Sequence, residues 1–422
     1  VLYDGLYTFV MRVATMGVAV VLGILTARLL GPTGKGLYAM PTVEAGLVAT
    51  AFAGLSSATS FFLLNRRAGR NIIAPAIWCA LAFVAGASVA VLAIAAIGHA
   101  LWAAPAAIAS LPASAAANVA TGYVVGIKRI RYATTLTFAT TLTTLALMAI
   151  GLFVVARTPL VAIVVWIAAT SLVGAVALIA VVVHSRTLER GEPVDRRSYV
   201  RMALKVGATG LVSLLNYRAD LYIVAAFLTP ADLGLYSVAV SAAEMLLVPT
   251  QVAALVTSPH IGGLDHASAV RLAARCVRNN LLIASSVCLV FLILAPFVVK
   301  LLYGDAFLGL VPSLRILLVG VVALALGSPI SNYYTLKLGK PEIPLVLSGL
   351  SAAICIACAV VLVPHIGIAG AALASTIAYV AGQGLGIAYF SRVAHVGTRA
   401  ILIPTRDDFR IYFDFAMGKL RG

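Results

Sequence analysis

The sequence predicts an all-α polytopic membrane protein with about twelve transmembrane helices. Three observations carry that prediction. The 422 residues are 62% hydrophobic and only 10% charged, whereas roughly a quarter of a soluble domain is charged. Runs of about 20 mostly apolar residues, enough to cross the hydrocarbon of a bilayer, recur from one end of the chain to the other. The basic residues gather in alternate connections between these runs. One signal peptide ahead of a soluble domain would not give this pattern. The chain opens on Val1 rather than Met, which predicts an N-terminus that is trimmed or extends further.

The apolar runs fall at about 6–27, 37–64, 72–98, 101–125, 133–156 and 159–183, then 203–228, 233–258, 279–302, 309–336, 343–363 and 368–391. The hydrophilic stretch 184–201, "HSRTLERGEPVDRRSYVR", separates six spans from six. This gives four regions: an N-terminal lobe over 1–183, a linker over 184–201, a C-terminal lobe over 202–393, and a basic tail over 394–422. Of the 30 Lys and Arg, 23 lie in the even-numbered connections and the tail, four in the odd-numbered connections, and three within spans. The positive-inside rule therefore predicts that both termini are cytoplasmic. The same clustering explains the net charge of +16 without nucleic acid as a partner. In the tail, Phe409, Tyr412, Phe413, Ala416 and Leu420 form one helical stripe, expected to lie along the interface.

Residues 26–39, "TARLLGPTGKGLYA", look at first like a phosphate-binding loop. That motif needs Gly-Lys-Ser/Thr five residues after its first glycine, and here Gly36 is followed by Leu37 and Tyr38. A better account comes from "AFLTPADLGLYS" at 226–237. Shifted by 198 positions, Leu30, Pro32 and Gly36-Leu37-Tyr38 meet Leu228, Pro230 and Gly234-Leu235-Tyr236. This is an internal repeat, and each copy turns the chain between the first two spans of a six-helix half. Pro interrupts the helix, Gly permits the turn, and Tyr is expected at the membrane interface. Because six spans preserve orientation, the halves form two pseudo-symmetric lobes about an axis along the membrane normal, a pattern found among transporters.

Ionisable residues inside a bilayer cost at least ~2.5–3.5 kcal/mol each on insertion scales and usually face a cavity or a partner. They are few here: Arg12, Glu44, Arg218, Asp220, Glu244 and Arg315. Arg218 and Asp220, two residues apart, point about 200° from each other and need partners on other helices. Interhelical ion pairs compete with cavity function for all six. Asn332, with Asn118, Asn216, Gln251 and Gln383, could bond a polar ligand or hold helices together. Pro105, Pro112, Pro312 and Pro329 concentrate in spans four and ten, where kinks are expected. Arg271, Arg275 and Arg278 recur at helical spacing, and with Lys128, Arg129 and Arg131 they could draw anionic headgroups to a cytoplasmic entrance. The five cysteines read as buried apolar residues, and the six histidines form no metal-ligand spacing.

The segments "ARLLGPTGKGLYA", "LLNYRADLYIVAAFLTPADLGLYSVAVSAAEMLLVPTQVAALVTSP" and "LLYGDAFLGLVPSLRILLVG" resemble the lipid-linked polysaccharide (O-antigen) flippases. These belong to the multidrug/oligosaccharidyl-lipid/polysaccharide (MOP) exporter superfamily. The resemblance covers essentially the whole chain and implies a MATE-like fold of two six-helix lobes around a central cavity. It implies a protein of the bacterial cytoplasmic (inner) membrane that carries an undecaprenyl-diphosphate-linked glycan outward for cell-surface polysaccharide or lipopolysaccharide biosynthesis. Partners would be that lipid, membrane lipids and other polysaccharide-assembly membrane proteins. No cofactor is expected beyond a coupling cation, H+ or Na+. Arg12, Arg218 and Arg315 would suit the diphosphate. Glu44, Asp220, Glu244 and Asn332 would suit sugar hydroxyls, and the carboxylates would also suit the coupling ion.

The alternative from the same superfamily is a cation-coupled multidrug exporter, which three intramembrane arginines disfavour. A major-facilitator transporter is disfavoured because "NRRAGR" at 65–70 has Arg66 where that family's loop carries aspartate. An enzyme acting on lipid-linked sugars would need catalytic groups in a sizeable external loop, and every external connection here is short.

Overall fold

The computed structural model describes residues 2–65, 68–97, 101–251, 264–340 and 342–405. Arg66, Arg67, residues 252–263, and the tail stripe from Phe409 to Leu420 lie outside the described residues. Within them the regular structure is helical, apart from an isolated antiparallel bridge between Gly69 and Arg190. The helices are α1 (Leu2–Ala49), α2 (Ala53–Asn65), α3 (Ile73–Ile97), α4 (Ala104–Gly126), α5 (Ile130–Ile150), α6 (Pro159–Ser185) and α7 (Arg196–Phe227). They continue with α8 (Pro230–Glu244), α9 (His266–Tyr303), α10 (Val311–Ala325), α11 (Gly327–Asn332), α12 (Glu342–Ala394) and the short α13 (Thr398–Leu402).

Two of these helices each contain a turn. Gly31 takes φ 68° and ψ 179° inside α1, a conformation that suits only glycine. Gly367 takes φ 62° inside α12. Among the described residues, nine stretches are long and apolar enough to cross a membrane. Two of these, Tyr7–Leu64 and Glu342–Ala394, contain the breaks at Gly31 and Gly367 and so hold two crossings each. Adding α7, the least apolar of the long helices, brings the number of crossings to the twelve expected.

The side-chain pattern is that of a protein dissolved in lipid. Large apolar side chains face outward, among them Val89, Ile179, Ile293 and Phe297. Many buried positions hold alanine, such as Ala107, Ala115, Ala203, Ala273 and Ala359. In hydrocarbon there is little to gain by burying leucine, and close helix packing favours small residues. The threonines of α5 satisfy themselves locally: Thr135, Thr140 and Thr144 each donate to the carbonyl four residues earlier, at 2.8 Å. Such bonds let a polar "TT" sequence sit in a lipid-exposed helix. Of the four prolines expected to kink helices, Pro112 lies inside α4, whereas Pro105 and Pro312 stand in the first turns of α4 and α10. There the missing N–H has no helical partner to lose.

Packing divides the chain into two units, Val1–Leu235 with Leu302–Ala306, and Tyr236–Leu301 with Phe307–Gly422. The first takes in α7, which packs on α2: Tyr199 reaches Thr59, hydroxyl to hydroxyl, at 2.7 Å. The division by packing therefore falls beyond the linker at 184–201 that divides the sequence. In the second unit, Tyr333, Tyr334 and Phe390 are fully buried, with the Tyr333 and Phe390 rings edge to face at 5.0 Å. Asn280 Nδ2 donates to the Ala325 carbonyl at 2.9 Å, tying α9 to α10.

The two repeated turns meet within the first unit. A side chain built on Gly36 would overlap the Pro230 carbonyl oxygen, and one built on Gly234 would overlap the Pro32 carbonyl oxygen. These four residues are the two proline–glycine pairs of the repeat, each pair pressed on the other. Lys35 bridges the break at Gly31 by donating to Thr26 Oγ1 at 2.7 Å. Tyr38 and Tyr236, expected at the membrane interface, are both buried.

Asp195 caps α7, its carboxylate accepting from Ser198 Oγ at 2.8 Å and from the Ser198 and Arg197 backbone N–H groups. These bonds hold its pKa below the usual carboxylate value, led by the Ser198 hydroxyl. The sign follows from linkage: the cap's stabilisation is fully present above the unfolded aspartate pKa and lost as pH falls through the lower, folded value. Amides 196–200 should therefore lose protection, measured against the intrinsic exchange rate at each pH, once pH drops below the carboxylate range. Asp195→Ala should show that loss of protection already at pH 7, as read by hydrogen–deuterium exchange.

Candidate functional site

The charged residues singled out in the spans separate into distinct environments. Glu44, on α1 after the Gly31 break, is fully buried, and neither carboxylate oxygen has a hydrogen-bond partner among the described residues. On α7, the Tyr222 hydroxyl donates to the carbonyl of Val43, the residue before it. Arg218 stands one helical turn before Tyr222 on the same face of α7, so Glu44, Arg218 and Tyr222 gather where α1 faces α7. Arg218 is half-buried. Asp220 is 2% exposed, and its Oδ1 accepts the Leu221 N–H at 2.8 Å.

The remaining residues stand elsewhere. Arg12 is exposed on the first segment of α1. Glu244 ends α8, half-buried, where the helix tightens into the 3-10 turn Met245–Leu247. Arg315 is exposed on α10, and its Nε donates to the Leu292 carbonyl of α9 at 3.1 Å. Asn332 closes α11, half-buried, before the π-turn Tyr333–Lys337. Asn118 donates to its own helix, at the Ser114 carbonyl, 2.9 Å away. Gln383 packs against Gly327, where a side chain would meet its amide.

The two basic groups also part company. Arg271, Arg275 and Arg278 line one cavity of about 660 Å³ together with Val270, Val396 and Thr405. Arg271 donates to Ser268 Oγ and Arg278 to the Ala400 carbonyl, each at 2.7 Å. Three guanidinium groups around one hollow form a chemically specific arrangement, because their planar forks match phosphate oxygens. Of Lys128, Arg129 and Arg131, Arg129 borders a different cavity, one that is mostly apolar.

Sequence reasoning missed Tyr222. It lies four residues after Arg218 and so shares its helical face, which is the signal that could have marked it. It also missed the pair that lines the cavity with Arg129, since His184 and Tyr123 are 61 residues apart and joined only by the fold.

Solved structures share the fold. A multidrug-resistance MATE family transporter of the MOP superfamily, in an inward-facing conformation, superposes with TM-score 0.74 at 18% identity, over 90% of this chain and 94% of that one. The lipid II flippase MurJ, in an inward closed conformation, gives TM-score 0.72 at 12% identity, over 100% and 94%. A MOP superfamily transporter from Pyrococcus furiosus gives 0.60 at 17% identity, over 93% and 94%. A search of curated proteins finds no match. The fold is that of the MOP-superfamily membrane transporters and flippases. The model of the polysaccharide biosynthesis protein family matches residues 25–312, more than half of the chain, and the chain belongs to that family.

Proposed function

We propose that this protein is a flippase that carries an undecaprenyl-diphosphate-linked oligosaccharide from the cytoplasmic to the outer leaflet of the bacterial inner membrane. It is a transporter rather than an enzyme, and the transport step would be alternating access by two lobes, over 1–183 and 202–393, joined by the linker 184–201. Both termini and the tail from 394 would lie in the cytoplasm. The product would feed cell-surface polysaccharide assembly, O-antigen being one such polymer. The observation that carries this reading is the cavity bordered by Arg271, Arg275 and Arg278 in a chain of the polysaccharide biosynthesis family. A diphosphate is the part of the cargo that such a cavity would recognise. Arg12, Arg218 and Arg315 would offer further cationic contacts, while Glu44, Asp220, Glu244 and Asn332 would offer acceptors for sugar hydroxyls. Lys128, Arg129 and Arg131 would add to the attraction of anionic headgroups.

One observation favours a second reading. Glu44, buried and without a hydrogen-bond partner among the described residues, is what a cation-coupled multidrug exporter would use. Native mass spectrometry of the purified protein in mild detergent separates the two. The flippase reading expects retention of an undecaprenyl-diphosphate oligosaccharide over cationic drugs. It also expects roughly tenfold weaker retention in Arg275→Ala or Arg218→Ala, the size of effect that losing one charge-assisted phosphate contact brings. Preferential retention of cationic drugs, sensitive to Glu44→Gln, would move the protein to the multidrug branch. If Arg218→Ala disappears from the membrane instead, Arg218 is a structural ion-pair member and not a ligand contact.

A further inference from the structure

The cavity that Arg129 borders lies between α4, α5 and α6, wholly within the first unit, and has a volume of about 670 Å³. Its walls are apolar over most of their length, with Leu136 and Ala139 on α5 and Leu172, Val176 and Ala180 on α6. Leu172 and Val176 are more than half exposed, so the groove opens sideways, toward the space a bilayer would fill. One end is different. There Arg129 stands at the α4–α5 turn with its guanidinium 5.7 Å from the centre of the Tyr132 ring. Beside it Tyr123 and His184 are joined, hydroxyl to Nδ1, at 2.8 Å. Lys128 and Arg131 flank the same turn in the sequence.

We propose that this groove binds one anionic phospholipid, with the phosphate at the Arg129–His184 end and one acyl chain along α5 and α6. Two independent features select that occupant. The first is charge: a cationic, hydroxyl-bearing end on an otherwise apolar groove between transmembrane helices matches an anionic headgroup and its hydrocarbon. The second is length. On α6 the lining runs from His184 back to Leu172, which at 1.5 Å per residue is about 18 Å. On α5 it runs from Arg129 to Ala139, about 15 Å. The hydrocarbon core of a bilayer is ~30 Å thick, so the groove spans one leaflet, the reach of one acyl chain. A long polyprenyl chain would outrun it. The site is separate from the arginine cavity on α9, and it stands whichever cargo the protein carries.

The test is native mass spectrometry of the intact, delipidated protein offered phosphatidylglycerol, phosphatidylethanolamine or undecaprenyl phosphate. One copy of phosphatidylglycerol should be held at roughly fivefold higher affinity than phosphatidylethanolamine, about what one basic residue near the surface contributes. Arg129→Gln should remove that preference while leaving weak binding of both lipids. Ala180→Phe, which fills the groove at an exposed position, should remove the retained copy altogether. Arg157→Gln, on the α5–α6 connection, should change nothing. Equal retention of the two phospholipids by the wild type would overturn the proposal without recourse to any variant, since it would mean only general contact with lipid. Preferred retention of undecaprenyl phosphate, lost in Ala180→Phe, would overturn the choice of occupant and give the groove to a polyprenyl chain.

Discussion

Gly36→Ala and Gly234→Ala are each expected to destabilise the protein, by an amount out of proportion to one methyl group. At Gly36 the new atom would overlap the Pro230 carbonyl oxygen, and at Gly234 it would overlap the Pro32 carbonyl oxygen. Neither obstacle is the end of a flexible side chain, so backbone must move, and overpacking of this kind costs about 1–3 kcal/mol. Gly46, also on α1, is the control because nothing lies within 4 Å of a Cβ placed there. Gly46→Ala should be neutral or stabilising, by up to ~1 kcal/mol of helix propensity. Opposite signs for the same substitution on one helix would separate contact from propensity. The double variant Gly36→Ala/Gly234→Ala provides a second check. Because each glycine stands on the other's turn, parting them once should relieve both, so the double variant should cost much less than the two singles together. Thermal unfolding of the detergent-solubilised protein, followed by intrinsic fluorescence, reads all four. If Gly36→Ala behaves like Gly46→Ala, the two turns do not touch as described.

That contact also marks where the sequence stops being informative. The repeat itself was legible, because Pro32 and Gly36 punctuate the chain as Pro230 and Gly234 do. That the copies press on one another had no local signal, since the contacts join residues about 200 positions apart. The twelve crossings were legible for a similar reason. Hydropathy records how much of each stretch must avoid water, and Gly31 and Gly367 divide helices that would otherwise run on. Side-chain direction was not legible. Arg12, Arg315 and Glu44 look alike as charges within apolar runs, yet the first two are exposed and the third is fully buried. An error of one residue in a span's rotation turns a side chain by 100°, and apolar sequence on every face leaves nothing to correct it. The basic face of Arg271, Arg275 and Arg278 was legible because three residues at helical spacing fix their own phase, and these three do share a cavity. Lys128 and Arg129 sit on the α4–α5 turn and Arg131 in the first turn of α5, so no shared periodicity fixes their phase, and of the three it is Arg129 that lines the groove between α4, α5 and α6.

Glu44→Met should make the protein more stable and less active at once. A buried polar group without a partner costs about 1–3 kcal/mol, and a methionine of similar length removes that cost while keeping the volume filled. Asp220 is the counterpart, because it is just as deeply buried but its Oδ1 accepts the Leu221 N–H at 2.8 Å. Asp220→Leu breaks that bond and should lower stability by a comparable amount. Two buried carboxylates 176 positions apart, each replaced by an apolar residue, should therefore shift the unfolding temperature in opposite directions. The activity readout is export of the surface polysaccharide in cells lacking the native protein. A more stable Glu44→Met variant that no longer supports export would mean that the carboxylate is kept for function at the expense of stability. Loss of stability in Glu44→Met would mean instead that Glu44 is held by a structural partner, and the cluster with Arg218 and Tyr222 would then be part of the α1–α7 packing rather than of a transport site.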